Sequence, residues 1–107
     1  MLTCDWWSSI WLNEGFATVF EYALVDTVYP DWNMKAFFNL RQVQRAYRSD
    51  ALQSTRAMTT ELNTIAEISQ SFDNIAYSKA GSVIRMFQYA VGETIFREAL
   101  NLYLKTK

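Results

Sequence analysis

Apolar side chains recur every three or four residues along most of this chain, and this spacing restricts it to a helical fold. One such series lies near the N-terminal end and a second lies in the C-terminal third. They consist of Phe16, Val19, Phe20 and Ala23, and of Val83, Met86, Phe87, Ala90 and Val91. Each series forms an apolar stripe on one helix face, which predicts that these side chains build the core.

The pattern predicts four helices, over residues 8–26, 32–49, 73–91 and 93–105. Pro30 ends the first helix, Asp31 is expected to cap the second, and Gly92 ends the third. In the fourth helix the residues expected to point inward are Ile95, Phe96, Ala99, Leu100 and Tyr103. Residues 50–66 are rich in Ser, Thr and Asn and predict a long surface loop with at most a short helical turn. The expected fold class is all-α.

Composition and charge exclude several classes of protein. Hydrophobic residues make up 50% of the 107 residues, which favours a packed core over disorder. Ten basic and eleven acidic residues give a net charge of −1 without a basic patch, so no nucleic-acid partner is expected. The longest apolar stretch, residues 15–25, is interrupted by Glu21 and is too short to span a bilayer. We expect no targeting signal within this chain.

The chain contains no histidine. A Ser-His-Asp triad, a Cys-His pair and a histidine zinc site therefore cannot be formed by these residues alone. The single cysteine, Cys4, cannot form an internal disulfide and is expected to be an inert packed thiol.

Two sequence blocks carry more specific information. Residues 6–18 read WWSSIWLNEGFAT, and residues 72–86 read FDNIAYSKAGSVIRM. In content, order and separation they resemble the segments that follow the zinc-binding H-E-x-x-H helix in zinc aminopeptidases of the aminopeptidase N type, which are gluzincins. The resemblance covers essentially the whole chain. One departure is Lys79-Ala80-Gly81, where the family more often has K-G-A, and this exchange is expected to adjust only local helix packing.

The resemblance implies that residues 1–107 are a partial peptidase catalytic domain. The matching part would be the helical C-terminal half of a thermolysin-like metallopeptidase domain. The H-E-x-x-H pair is absent here, and the family's spacing places it upstream of Met1.

The resemblance also implies roles for individual residues. Glu14 would be the third protein ligand of a catalytic Zn²⁺, and Tyr77 would donate a hydrogen bond to the developing oxyanion. Without the two blocks, Glu14 would more often be a solvated helix residue and Tyr77 a core aromatic. Thr18 and Glu21 share the helix face of Glu14. Either they orient a zinc-binding histidine, or they belong to a polar helix face, and both interpretations stay open.

The function that the resemblance implies is that of a zinc metalloaminopeptidase fragment. The parent would hydrolyse N-terminal residues from peptides with a free N-terminus, using water activated by zinc and the rest of its catalytic domain. It would lie at the plasma membrane on the extracellular face, as in arthropod gut forms, with a cytoplasmic form left open. The isolated chain is expected to be inactive. The alternative is a non-catalytic helical fragment with a binding or structural role, or a degenerate copy.

Overall fold

The computed structural model describes residues 3–106, which form a helical assembly. Its α-helices are α1 (Ile10–Val28), α2 (Met34–Phe38), α3 (Gln44–Asp50), α4 (Ile65–Gln70), α5 (Ala80–Val91) and α6 (Glu93–Thr106). Short 3₁₀ turns, Trp7–Ser9 and Pro30–Trp32, lie before α1 and α2. Two π-helical segments, Asn39–Val43 and Ile75–Lys79, connect α2 to α3 and lead into α5. This described part contains no β-strand, so the predicted all-α class is confirmed.

All four predicted helices are present, with small shifts at their ends. The second is the continuous run of α2, the first π-helical segment and α3, and the third begins with the second π-helical segment. The loop ends in a short helix, α4, which begins at Ile65 and lies mostly beyond the predicted loop of residues 50–66. It begins with a capping box, in which the Thr64 hydroxyl accepts a hydrogen bond from the Glu67 amide and the Glu67 carboxylate accepts one from the Thr64 amide. Gly92 ends α5 with a positive φ of 88°, as predicted.

The predicted cap of the second helix is wrong. Asp31 lies inside the 3₁₀ turn, and the left-handed residue Asn33, with a φ of 49°, separates it from α2. The carboxylate at the start of α2 is instead that of Asp26, whose Oδ1 accepts a hydrogen bond from the Met34 amide at 3.0 Å. The last turns of α1 therefore stabilise the first turn of α2 directly.

The closest packing in the fold lies between α1 and the helix formed by the second π-helical segment and α5. A Cβ at Gly15 would lie 2.8 Å from the Ile84 side chain and 2.9 Å from the Ala80 Cβ. Ala76 and Ala80 are fully buried at the same contact. Small residues on both helices thus let the two backbones approach more closely than larger side chains would allow.

This packing explains why the apolar stripe predicted for α5 is wrong. Met86 and Phe87 are 69% and 63% exposed, whereas the buried face of α5 consists of Ala80, Gly81 and Ile84. Because the backbones meet so closely, Ala80 and Gly81 face α1 together with Ile84, and Met86 and Phe87 are left exposed. The stripe predicted for α1 is only half right, since Val19 is buried while Phe20 is exposed.

The same correction applies to α6, where Ile95 is 61% exposed and Tyr103 is exposed as well. Only Phe96 of the predicted inward set packs against the core cluster. That cluster consists of Val19, Tyr22, Phe38 and Ile84, with Phe16, Met34, Val43 and Phe96 packed around it. None of the helices within residues 3–106 has the length and apolar content needed to span a bilayer.

The loop between α3 and α4 is fixed by Arg56. Its guanidinium group binds both carboxylate oxygens of Asp73, at 2.9 and 2.8 Å, and also donates to the Ser71 carbonyl oxygen at 2.9 Å. Partial burial opposes ionisation of Asp73, but the hydrogen bonds and charge of Arg56 and the amides of Ala76 and Ile75 outweigh it and lower its pKa. The ionised carboxylate thus joins the loop to the start of the second π-helical segment.

We expect Gly15→Ala to lower the free energy of unfolding by about 1–3 kcal/mol, because the added methyl group overlaps Ala80 and Ile84. Helix propensity alone would change stability in the opposite direction, by about 1 kcal/mol. Urea unfolding of the chain measures the difference. The matched control is Ala17→Gly on the exposed face of α1, which reports propensity alone. A gain in stability for Gly15→Ala would contradict the close approach.

The Arg56–Asp73 pair predicts acid sensitivity. Because the pKa of Asp73 is lowered by folding, its contribution is complete above the unfolded-state pKa of about 3.9 and is lost as pH falls through the folded-state value. Asp73→Asn should therefore lose less unfolding free energy than the parent between pH 7 and pH 3. Asp50 and Glu67, whose pKa values are also lowered by hydrogen bonds, leave a residual slope. Equal slopes for the parent, Asp73→Asn and the exposed control Asp31→Asn would contradict this role.

Candidate active site

The structure brings Glu14 and Tyr77 together. Glu14 lies in the second turn of α1, Tyr77 lies at the centre of the second π-helical segment, and both side chains are half-buried. Because this segment packs directly on α1, the Tyr77 phenol faces the Glu14 carboxylate.

The surroundings of the Tyr77 phenol raise its pKa and so favour the protonated form. Burial raises the pKa of Tyr77, and the negative charge of Glu14 and its capacity to accept a hydrogen bond raise it further. At neutral pH, where an unshifted phenol is also protonated, the hydroxyl group is a hydrogen-bond donor next to a carboxylate.

The backbone at Glu14 is held by Thr18. The Thr18 hydroxyl donates to the Glu14 carbonyl oxygen at 2.8 Å, and the buried Thr18 side chain lies against Gly81 of α5. A Cβ at Gly81 would lie 3.1 Å from the Thr18 Cγ2, so this contact is also close. Glu21, two turns further along α1, is exposed. The histidine-orienting roles of Thr18 and Glu21 stay predictions.

The start of α1 is joined to the loop by two tryptophans. The Trp6 indole donates to the Leu62 carbonyl oxygen at 3.3 Å, and the Trp11 indole donates to the Thr59 hydroxyl at 2.8 Å. Leu62 itself is buried. The loop therefore packs beside the turn of α1 that carries Glu14, which accounts for its length in a small fold.

The backbone around Tyr77 is held by hydrogen bonds to Asp73, which lies four residues earlier in the chain. The Asp73 Oδ1 accepts hydrogen bonds from the amides of Ile75 and Ala76 at 2.9 and 3.0 Å, and its carbonyl oxygen accepts one from the Tyr77 amide at 3.1 Å. The two neighbours of Tyr77, Ala76 and Ser78, are fully buried. The segment is thus fixed on both sides of the tyrosine while the phenol itself reaches the surface.

Sequence reasoning missed the support for this segment. The position of Asp73 at a helix start was a usable signal, since carboxylates there accept amide hydrogen bonds. Arg56 gave no such signal, because it lies in an irregular loop and its partner is distant in the chain. The hydrogen bond between the Ser78 hydroxyl and the Gln42 side chain joins two helices and was equally invisible in the sequence.

The described residues do not complete a metal site. Within residues 3–106 no group of three or more His, Cys, Asp or Glu side chains could hold an ion. A catalytic zinc takes three protein ligands and an open position. If Glu14 were one ligand of such a centre, the other donors would have to come from outside this chain.

Comparison with known proteins identifies the family. The model of the peptidase family M1 domain matches residues 1–107. Over 99% of its length the chain is 43% identical to aminopeptidase N of Homo sapiens, and over 97% it is 41% identical to aminopeptidase Ey of Gallus gallus. It is 36% identical over 98% of its length to leucyl aminopeptidase of Saccharolobus solfataricus.

The chain spans 11% of the length of the two animal relatives and 13% of the archaeal one. Its match to the family nevertheless extends over every residue, including both blocks that carry Glu14 and Tyr77. The chain therefore belongs to peptidase family M1, and within that family it is of the aminopeptidase N type.

Proposed function

We propose that this chain is part of the catalytic domain of a zinc metalloaminopeptidase. Its substrates would be peptides with a free N-terminus, from which the parent removes the first residue. The observation that carries the proposal is the contact between Glu14 and Tyr77, a carboxylate and a protonated phenol from two packed helices of a family M1 chain. The relatives that it matches are named as aminopeptidases.

Glu14 acts in this proposal as one protein ligand. Zinc, when bound, would supply the Lewis acid that activates water and polarises the scissile carbonyl. The backbone that carries this carboxylate is held in place by the Thr18 hydrogen bond and by the packing of Gly15 on α5. Rigid placement matters because a ligand must hold its distance and direction to the metal closely.

Tyr77 acts as a hydrogen-bond donor to the reacting peptide. As water attacks the carbonyl carbon, negative charge develops on the carbonyl oxygen, and a phenol placed beside it stabilises that charge. A phenol of ordinary pKa, about 10, is protonated at neutral pH, and the raised pKa of Tyr77 extends this to higher pH. Glu14 is the proposed zinc ligand and lies beside this phenol. In this proposal the oxyanion donor is therefore next to the zinc site.

The remaining groups must come from the rest of the parent domain. The chain has no histidine, so two zinc ligands and the H-E-x-x-H glutamate, which would act as general base, lie outside it. The isolated chain would neither hold zinc tightly nor turn over substrate. By the same family resemblance the parent would lie at the plasma membrane and face the outside of the cell.

In a protein extended upstream through the H-E-x-x-H helix, we expect Glu14→Gln to weaken zinc binding. The loss should exceed the roughly 10–100-fold typical for groups that only support a ligand. Zinc stoichiometry after dialysis against graded chelator measures it. The control is Glu98→Gln, an exposed carboxylate on α6. Full zinc retention by Glu14→Gln would overturn the ligand role.

In the same extended protein, Tyr77→Phe should keep its zinc and its KM while kcat falls by about 10²–10³-fold, since the lost hydrogen bond is made in the transition state. Steady-state kinetics on an aminoacyl anilide measure kcat and KM separately. Tyr47→Phe, on an exposed face of α3, is the matched control. Unchanged kcat in Tyr77→Phe together with intact zinc binding in Glu14→Gln would favour a non-catalytic binding or structural fragment.

A further inference from the structure

A chain of partly buried hydrogen bonds lies beside the candidate site. The Ser78 hydroxyl donates to Gln42 Oε1 at 2.7 Å, and Gln42 Nε2 donates to the Tyr22 hydroxyl at 3.0 Å. Ser78 is fully buried and Tyr22 nearly so. This Tyr22–Gln42–Ser78 chain joins α1, the first π-helical segment and the second π-helical segment.

The Gln42 side chain is held at both ends of its amide. Its oxygen accepts from Ser78 and its nitrogen donates to Tyr22, so neither group can move without leaving a buried polar atom unpaired. An unpaired buried polar group costs about 1–3 kcal/mol, which makes the arrangement stiff. Ser78 follows Tyr77 directly, so the constraint acts on the backbone of the proposed oxyanion donor.

The segment that carries Tyr77 has a conformation that needs such a constraint. The Lys79 amide donates to the Asn74 carbonyl oxygen at 2.9 Å, an i→i−5 hydrogen bond, while the Ser78 amide donates to the same oxygen at 3.0 Å. π-helical turns are rare, and they recur at functional sites. If this turn relaxed to regular α-helix, the direction of the Tyr77 side chain relative to α1 would change.

We propose that Gln42 is a positioning residue for the reaction. Through Ser78 it holds the second π-helical segment in the register that directs Tyr77 toward Glu14, and through Tyr22 it ties that register to the helix that carries Glu14. This inference rests on the proposed function, because it assigns Gln42 a role only if Tyr77 acts on the substrate.

The test uses the extended protein with its zinc bound. Gln42→Leu keeps the approximate volume but removes both hydrogen bonds, and we expect kcat to fall by about 10-fold or more while zinc content stays unchanged and KM stays within about twofold. Ser78→Ala removes one bond with little change in volume and should give the same kind of split, so it serves if Gln42→Leu folds poorly. Asn74→Ala is the matched control, because it removes only an exposed side-chain hydrogen bond to Ser49 at the residue directly before this segment and leaves the Asn74 carbonyl in place.

A double-mutant cycle separates positioning from general destabilisation. If Gln42 acts through the Tyr77 hydroxyl, Gln42→Leu should lower kcat much less in a Tyr77→Phe background than in the parent. If the two losses in kcat multiply, or if Gln42→Leu and Ser78→Ala leave kcat unchanged while Tyr77→Phe lowers it, the positioning role is wrong and the proposed function stands. If Tyr77→Phe itself keeps full activity, the proposed function fails first, and the positioning role fails with it.

Discussion

The contact between Gly15 and Ala80 is the constraint on which the rest of the structure depends. It sets the separation of α1 and α5, and it lies one residue from Glu14 and three residues from Tyr77 along their helices. The missing side chain of one residue therefore determines how far apart the two candidate groups lie. It also determines which face of α5 is buried, since the closest approach to α1 needs the small residues Ala80 and Gly81, with Ile84 packed beside them.

Around this contact, hydrogen bonds of polar side chains fix the rotation and register of the helices, which apolar packing alone does not fix. Apolar contacts are non-directional, so they fix the distance between two helices better than they fix rotation or register. Asp73 binds the start of the second π-helical segment and Gln42 binds its end. Together they limit the rotation and the register of this segment. Arg56 adds the loop to the same unit, because its guanidinium group binds the carboxylate that caps the segment.

The sequence predicted the positions of the helices correctly, but it did not predict correctly which helix faces are buried. Helical spacing and the stops at Pro30 and Gly92 identified all four helical runs, because these signals are local in the chain. The buried faces were predicted incorrectly at Met86, Phe87 and Ile95, since hydrophobicity marks a face as apolar without saying what covers it. Glu14 and Tyr77 were proposed as site residues from resemblance to a family motif, and nothing in the periodicity of either helix distinguishes them. Gln42 and Arg56 could not be found, because their partners are distant in sequence.

The second π-helical segment, residues 75–79, makes this part of the chain sensitive to the insertion or deletion of a residue. Successive residues of an α-helix are rotated by about 100°, so a turn that accommodates one additional residue offsets the helix before it from the helix after it. A single-residue deletion here could leave a regular, well-packed helix and still redirect the tyrosine. In this part of the chain the number of residues, and not only their identity, encodes where a side chain points. Variants that differ by one residue in this segment would thus differ in chemistry more than in fold.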